Sequence, residues 1–208
     1  MKAILFDLDG TLTDSGEGIM HCAELTLQHY GLPVPPREQM RSMVGPPLRD
    51  SFIGFGIPAD ELDNAVANYR KHYLAVGQFE NAPYPGIRQL LETLHAAGNP
   101  LYIATSKPET MAIDILQYFD LKKYFTLMCG AVPGERSTKE EVLSHLLSQL
   151  DHSDDMVMVG DTIYDVRGAN FHNISCIAVA WGYGIVQDMA AAGALIAEST
   201  EQLHTLLK

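Results

Sequence analysis

The sequence predicts an α/β fold, a doubly wound parallel sheet interrupted once by an all-helical insertion. Three observations carry that reading. Short runs that are apolar on both faces alternate with amphipathic helical stretches. The alternation breaks between about Asp14 and Ala82, where helical patterns occur without a convincing strand. Acidic residues follow directly on two of the apolar runs, where open parallel sheets bind their ligands.

Ala3-Ile4-Leu5-Phe6 reads as the first buried strand, Leu101–Ala104 as the second and Phe125–Cys129 as the third. Met156–Val159 and Ile174–Val179 are the fourth and fifth. Ile87, Leu90, Leu91, Leu94 and Ala97 recur at helical spacing, and Gly98 ends that helix. Val142, Leu143, Leu146, Leu147 and Leu150 form a second apolar face, and Leu203, Leu206 and Leu207 a C-terminal one. Within the insertion, Ile19, Ala23, Leu27 and Tyr30 share one helical face, and Leu62, Val66, Tyr69, Tyr73 and Val76 another. Glu80–Gly86, with Pro83 and Pro85, is the return linker. The expected organisation is a core domain of residues 1–13 and 83–208 and a helical domain of residues 14–82.

The 208 residues carry 14 Lys+Arg against 26 Asp+Glu, a net charge of −12. That balance argues against nucleic acid as a partner, because phosphate backbones are bound by clustered cations. No stretch approaches the roughly 18 consecutive apolar residues of a membrane span. Lys2 precedes only four apolar residues before Asp7, so no secretory signal is expected. Cys22, Cys129 and Cys176 are odd in number and widely spaced, which suits a reducing cytoplasm and small buried hydrophobes. The eight histidines show no zinc-type pairing, and GxSxG, P-loop and GxGxxG motifs are missing.

The first strand ends in Asp7-Leu8-Asp9-Gly10-Thr11, the fourth in Gly160-Asp161-Thr162-Ile163-Tyr164-Asp165. Asp161 and Asp165 are one helical turn apart, so four carboxylates are expected to converge on one cavity. Acids so placed repel one another and call for a cation. Oxygen-only donors suit Mg²⁺, which keeps water and bridges to phosphate. The second strand is followed by Thr105-Ser106-Lys107-Pro108-Glu109, in which Ser106 and Glu109 fit a capping box. A helix starting there would cradle phosphate. Ser137-Thr138-Lys139-Glu140 repeats the pattern and puts Lys139 in a first helical turn. The macrodipole disfavours a cation there, so Lys139 is expected to meet a local anion, and Lys107 is expected in the same position on its own helix.

These segments together resemble the haloacid dehalogenase-like hydrolase superfamily, in its phosphatase branch. Asp7 and Asp9 match its DxDGT motif, Thr105 the motif-two hydroxyl, Lys139 the motif-three lysine, and Asp161 and Asp165 the GDxxxD motif. The insertion resembles that superfamily's type-1 helical cap, joined to a Rossmann-like core. Val44-Gly45-Pro46-Pro47-Leu48, Thr105-Ser106-Lys107-Pro108 and Trp181-Gly182-Tyr183-Gly184 resemble the phosphoglycolate phosphatase-like group.

The resemblance implies Asp7 as nucleophile, forming an aspartyl-phosphate, and Asp9 as general acid and base. It implies Mg²⁺ held by the Asp7 carboxylate, the Asp9 backbone carbonyl and Asp161, with Asp165 in or behind that shell. Thr105, Lys139 and backbone N–H groups near Asp9 would hold phosphate oxygens. Asp9 would have to be protonated at the first step, and neighbouring carboxylates are expected to favour that form. Ser106, Lys107 and Arg49 are candidate substrate contacts. Lys107 and Arg49 read equally well as ordinary surface charge, Asp165 also reads as a helix cap or ion-pair partner, and Trp181 reads as packing. The implied substrate is a small phosphorylated metabolite, phosphoglycolate-like or a nucleoside monophosphate. The presence of Asp9 separates the chain from the dehalogenases. Arg49 keeps open a phosphosugar mutase of the β-phosphoglucomutase type.

Overall fold

The computed structural model describes residues 2–150 and 155–208. It divides into two compact units, Met1–Thr13 with Pro83–Lys208, and Asp14–Ala82.

Six strands form the sheet of the first unit: β1 Lys2–Phe6, β2 Leu101–Pro108, β3 Leu127–Ala131, β4 Asp155–Gly160, β5 Ser175–Val179 and β6 Leu195–Ala197. Every neighbouring pair is parallel, and the order across the sheet is β3-β2-β1-β4-β5-β6. The order reverses at β1, which makes the carboxyl end of β1 the topological switch point.

Strand period explains why β1 is apolar throughout. Ala3 and Leu5 face one layer, with Val142, Leu143 and Leu146 of helix Lys139–Leu147 and Val166 of helix Ile163–Phe171. Ile4 and Phe6 face the opposite layer, with Leu90, Leu91 and Leu94 of helix Ile87–Ala96 and Ile115 of helix Glu109–Tyr118. Leu203 of helix Thr200–Leu206 joins that second layer. Each such leucine contributes about 1.5–3 kcal/mol through burial.

The structure moves several expected boundaries. β3 begins at Leu127, because Lys122–Tyr124 form a 3-10 turn that buries Tyr124 and Phe125 first. β6, three residues long with Leu195 59% exposed, was not expected; an edge strand so short carries little apolar signal. β2 continues to Pro108, past the place where a helix was expected. No side chain caps helix Glu109–Tyr118, so the Ser106–Glu109 box does not form. Glu109 instead accepts from the Gly130 N–H at 3.1 Å and pairs with Arg136 at 2.6 Å. A strong ion pair outcompeted a local cap.

The second unit contains helices Gly16–His29, Arg37–Met40, Leu48–Gly54 and Leu62–Ala75. Ile19, Ala23, Leu27, Leu62, Tyr69 and Tyr73 are buried. Phe52 meets Tyr69 edge-on at 6.1 Å, and Tyr69 stacks on Tyr73 at 5.6 Å. Val76 falls beyond the helix end and is half exposed. The chain segments entering and leaving this unit, Thr13–Asp14 and Ala82–Pro83, pair as two-residue strands that the sequence did not reveal.

Candidate active site

Register gathers the acids. Phe6 pairs with Ile103 on β2 and with Val159 on β4. The Asp7 N–H donates to the Val159 carbonyl at 2.9 Å. Asp7, Thr105 and Asp161 therefore stand within one residue of the same level, on or just past three adjacent strands. The chain then turns sharply, with the N–H groups of Gly10, Thr11, Leu12 and Thr13 all donating inside the turn. Those four donors are thus unavailable for the phosphate contacts expected of the backbone near Asp9. Gly10 sits at φ +81°, and a Cβ there would lie 2.1 Å from Asp161 Oδ2. At Gly160 a Cβ would lie 2.2 Å from the Asp165 carboxyl carbon.

Asp7, Asp161, Asp165 and Lys139 are buried together. One oxygen from each acid lies within 4.8 Å of the others. Lys139 follows the N-cap Thr138, whose hydroxyl accepts from the Glu141 N–H at 3.2 Å. Glu141 returns the bond, so the box is Thr138–Glu141, one residue later than expected. The anion expected for Lys139 is present twice. Its ammonium donates to Asp7 Oδ1 at 2.9 Å and to the Ala104 carbonyl at 2.8 Å, and pairs with Asp165 Oδ1 at 2.7 Å. Asp165 Oδ2 accepts from the Thr162 N–H and hydroxyl, so Asp165 is both helix cap and ion-pair partner.

With every group ionised, the three carboxylates and one ammonium would carry a formal charge of −2 in a buried site. Burial pushes the Asp7 carboxyl up to about 6; Lys139 opposes the rise and Asp165 adds to it. Burial, then Asp165 and Asp7, hold Asp161 well above the usual carboxylate range. Burial acts to discharge Lys139, but Asp165 and Asp7 outweigh it, and the ammonium stays protonated. The free cluster is therefore over-charged by its own acids, and a dication would relieve it.

Four carboxylates were expected to converge, but the Asp9 side chain turns elsewhere. Lys107 Nζ donates to Asp9 Oδ2 at 2.8 Å, so an ammonium rather than a carboxylate stands against Asp9. Lys107 lies in β2, not in a helical first turn; the Thr105 hydroxyl accepts its N–H at 3.2 Å. Thr105 is itself buried, and its hydroxyl favours the ionised form of the Asp7 carboxyl. Ser106, between them, is exposed. Arg49, in the second unit, is half exposed and ion-pairs with Asp63.

Sequence reasoning missed the support of Asp161. The Tyr183 N–H donates to Asp161 Oδ2 at 2.9 Å, and the Thr11 hydroxyl to Oδ1 at 3.2 Å. Trp181 donates its indole N–H to the Thr11 carbonyl at 3.1 Å while packing on the core. The Trp181–Gly184 segment was noticeable in the sequence, but nothing there paired it with Thr11. All three cysteines are buried and free, which fits small core residues.

The family model for the haloacid dehalogenase-like hydrolases matches residues 4–179, and every residue of the buried cluster lies in that span. The chain belongs to the haloacid dehalogenase-like hydrolase family. It is 41% identical over 185 residues to the tyrosine-protein kinase PtkA of Mycobacterium tuberculosis, which aligns with 88% of this chain. The chain spans 63% of the length of that relative. It is 37% identical over 191 residues to a 5′-nucleotidase of Pseudomonas aeruginosa, covering 90% of this chain and 86% of the relative. A predicted phosphatase from Clostridium acetobutylicum has the same fold, with a TM-score of 0.93 at 38% identity over 99% of this chain and 97% of that one. Among the described residues, no helix is long and apolar enough to cross a membrane.

Proposed function

We propose that this protein is a Mg²⁺-dependent hydrolase of small phosphomonoesters, acting in the cytoplasm through an aspartyl-phosphate on Asp7. The observation that carries the reading is the buried cluster of three acids, Asp7, Asp161 and Asp165, around Lys139 at the switch point of the sheet. Family membership and the relatives named as phosphatase and 5′-nucleotidase support it.

The all-oxygen donor set and its charge excess fit a hard dication. Asp7, the Asp9 carbonyl and Asp161 would hold Mg²⁺, with Asp165 acting through Lys139 and through its charge. When bound, the ion neutralises charge on the phosphoryl oxygens. Asp7 attacks phosphorus, and the Lys139 ammonium keeps its carboxylate ionised and oriented. Thr105 would turn its single hydroxyl proton to a phosphoryl oxygen. Asp9 gives its proton to the leaving oxygen, then takes one from the water that cleaves the aspartyl-phosphate. The helical unit Asp14–Ala82 acts as a cap that selects the substrate. Phosphoglycolate-like esters and nucleoside monophosphates are the substrate classes that the resemblance and the relatives suggest.

The test is hydrolysis of p-nitrophenyl phosphate with and without Mg²⁺. The wild-type protein should release phosphate only with the ion, and Asp7→Asn should release none. Absence of phosphate release by the wild type would overturn the reading. Release to water, rather than transfer to a tyrosine, separates it from the activity named for PtkA. The mutase alternative rests on Arg49, which pairs with Asp63.

A further inference from the structure

Lys107 is a buried lysine with no part in the scheme above. Its side chain is 5% exposed, and that of Asp9, which it contacts, is 20% exposed. Burying an ammonium costs hydration and side-chain freedom, and a close carboxylate offsets that cost. The contact exists because β2 does not stop at Thr105 but runs on to Pro108. That extension, held by the Lys107 N–H on the Thr105 hydroxyl, carries Nζ to Asp9 Oδ2 across 98 positions of sequence. The other oxygen, Asp9 Oδ1, is buried and has no hydrogen-bond partner among the described residues. One oxygen is thus anchored and the carboxyl plane fixed, while its twin makes no hydrogen bond. A general acid needs that arrangement: a fixed rotamer and one oxygen reserved for the reacting atom.

We propose that Lys107 is the positioning residue for Asp9, and that Asp9 Oδ1 is the oxygen that exchanges protons. The proposal rests on the hydrolase reading. In the first step a bond forms between an Asp7 oxygen and phosphorus. The ester P–O bond breaks, its electron pair goes to the leaving oxygen, and the proton on Asp9 Oδ1 passes to that oxygen. Lys107 touches neither phosphorus nor the leaving group; it keeps Oδ1 aimed.

The experiment compares kcat/KM, which reports only steps up to release of the first product, for two substrates. p-Nitrophenyl phosphate has a leaving group that departs with little help from a proton. Adenosine 5′-monophosphate, or the best alkyl monoester of the substrate panel, needs one. Lys107→Met should lower kcat/KM for the alkyl ester about 100-fold and for the aryl ester only a few-fold, as expected for a misplaced acid. Asp9→Asn should show the same selectivity more strongly, and adding Lys107→Met to Asp9→Asn should lower neither value further. Lys107→Gln, which keeps a donor, should fall between wild type and Lys107→Met, and it carries the comparison if the Met variant does not fold. An equal fall for both substrates would make Lys107 a phosphate contact and overturn the proposal, as would no change in either. Failure of the wild type to hydrolyse either ester would instead overturn the hydrolase reading itself.

Discussion

At the scale of single residues, the site sets three buried acids against one ammonium. Asp7 is raised from 3.8 to about 6 chiefly by burial, and Asp161 is raised as well. These two acids therefore hold more protons in the folded chain than in the unfolded chain between about pH 4 and 6. Stability of the metal-free protein must fall as pH rises through that window, since the state that holds more protons is favoured at low pH. Lys139 is raised too and its contribution falls with the same sign, but only in alkali. Urea denaturation of metal-free protein at a series of pH values should show the decline, and saturating Mg²⁺ should reverse it by binding the folded state. A flat profile would mean that the cluster is better solvated than its burial implies. The acids could be placed from spacing alone, because each stands at the end of an apolar run. Their partners could not, because Lys139 meets Asp7 from 132 positions away.

At the scale of elements, the helix that begins at Lys139 is the informative one. Its first residue is a cation set against the dipole, stabilised from outside by Asp7 and Asp165. Its start is fixed by the reciprocal Thr138–Glu141 bonds. Thr138→Ala should cost about 1 kcal/mol of stability, read from the denaturation midpoint. It should also lower phosphatase activity, because the first turn that aims Lys139 frays. The sequence placed this box one residue early, at Ser137, and placed another at Ser106 that does not exist. Both errors have one cause: a Ser or Thr three residues before Glu is common, and only the surrounding contacts decide which Glu is free to cap. Glu109 is taken by Arg136, whereas Glu141 is exposed and available.

At the scale of the whole molecule, the central strand bears both the core and the chemistry. Leu5 is fully buried, and its strand has a parallel neighbour on either side. Leu5→Ala should cost about 2–5 kcal/mol. Leu195→Ala, on the half-exposed edge strand β6, should cost less than about 1 kcal/mol. Both are measured by denaturant midpoints under the same conditions, and equal costs would contradict the layered core. The net charge of −12 does not oppose an anionic substrate, because binding follows the local field. Three of the acids that produce it are buried in the cluster that a dication would neutralise.

The sequence by itself determined the α/β class, the buried strands and the acids that end two of them. Those features depend on periodicity and on residues adjacent in the chain, which any local reading can see. Tertiary structure alone decided which charges pair: Lys107 with Asp9, Lys139 with Asp7 and Asp165, and Thr11 and Tyr183 on Asp161. It also decided that Ser106 is exposed and that Asp9 stands apart from the other acids. Except for the shorter reaches of Tyr183 to Asp161 and Lys139 to Asp165, these contacts join residues that the sheet register brings together from distant parts of the chain. Which side chain wins a buried partner is set by that register and by the cost of leaving a charge unpaired.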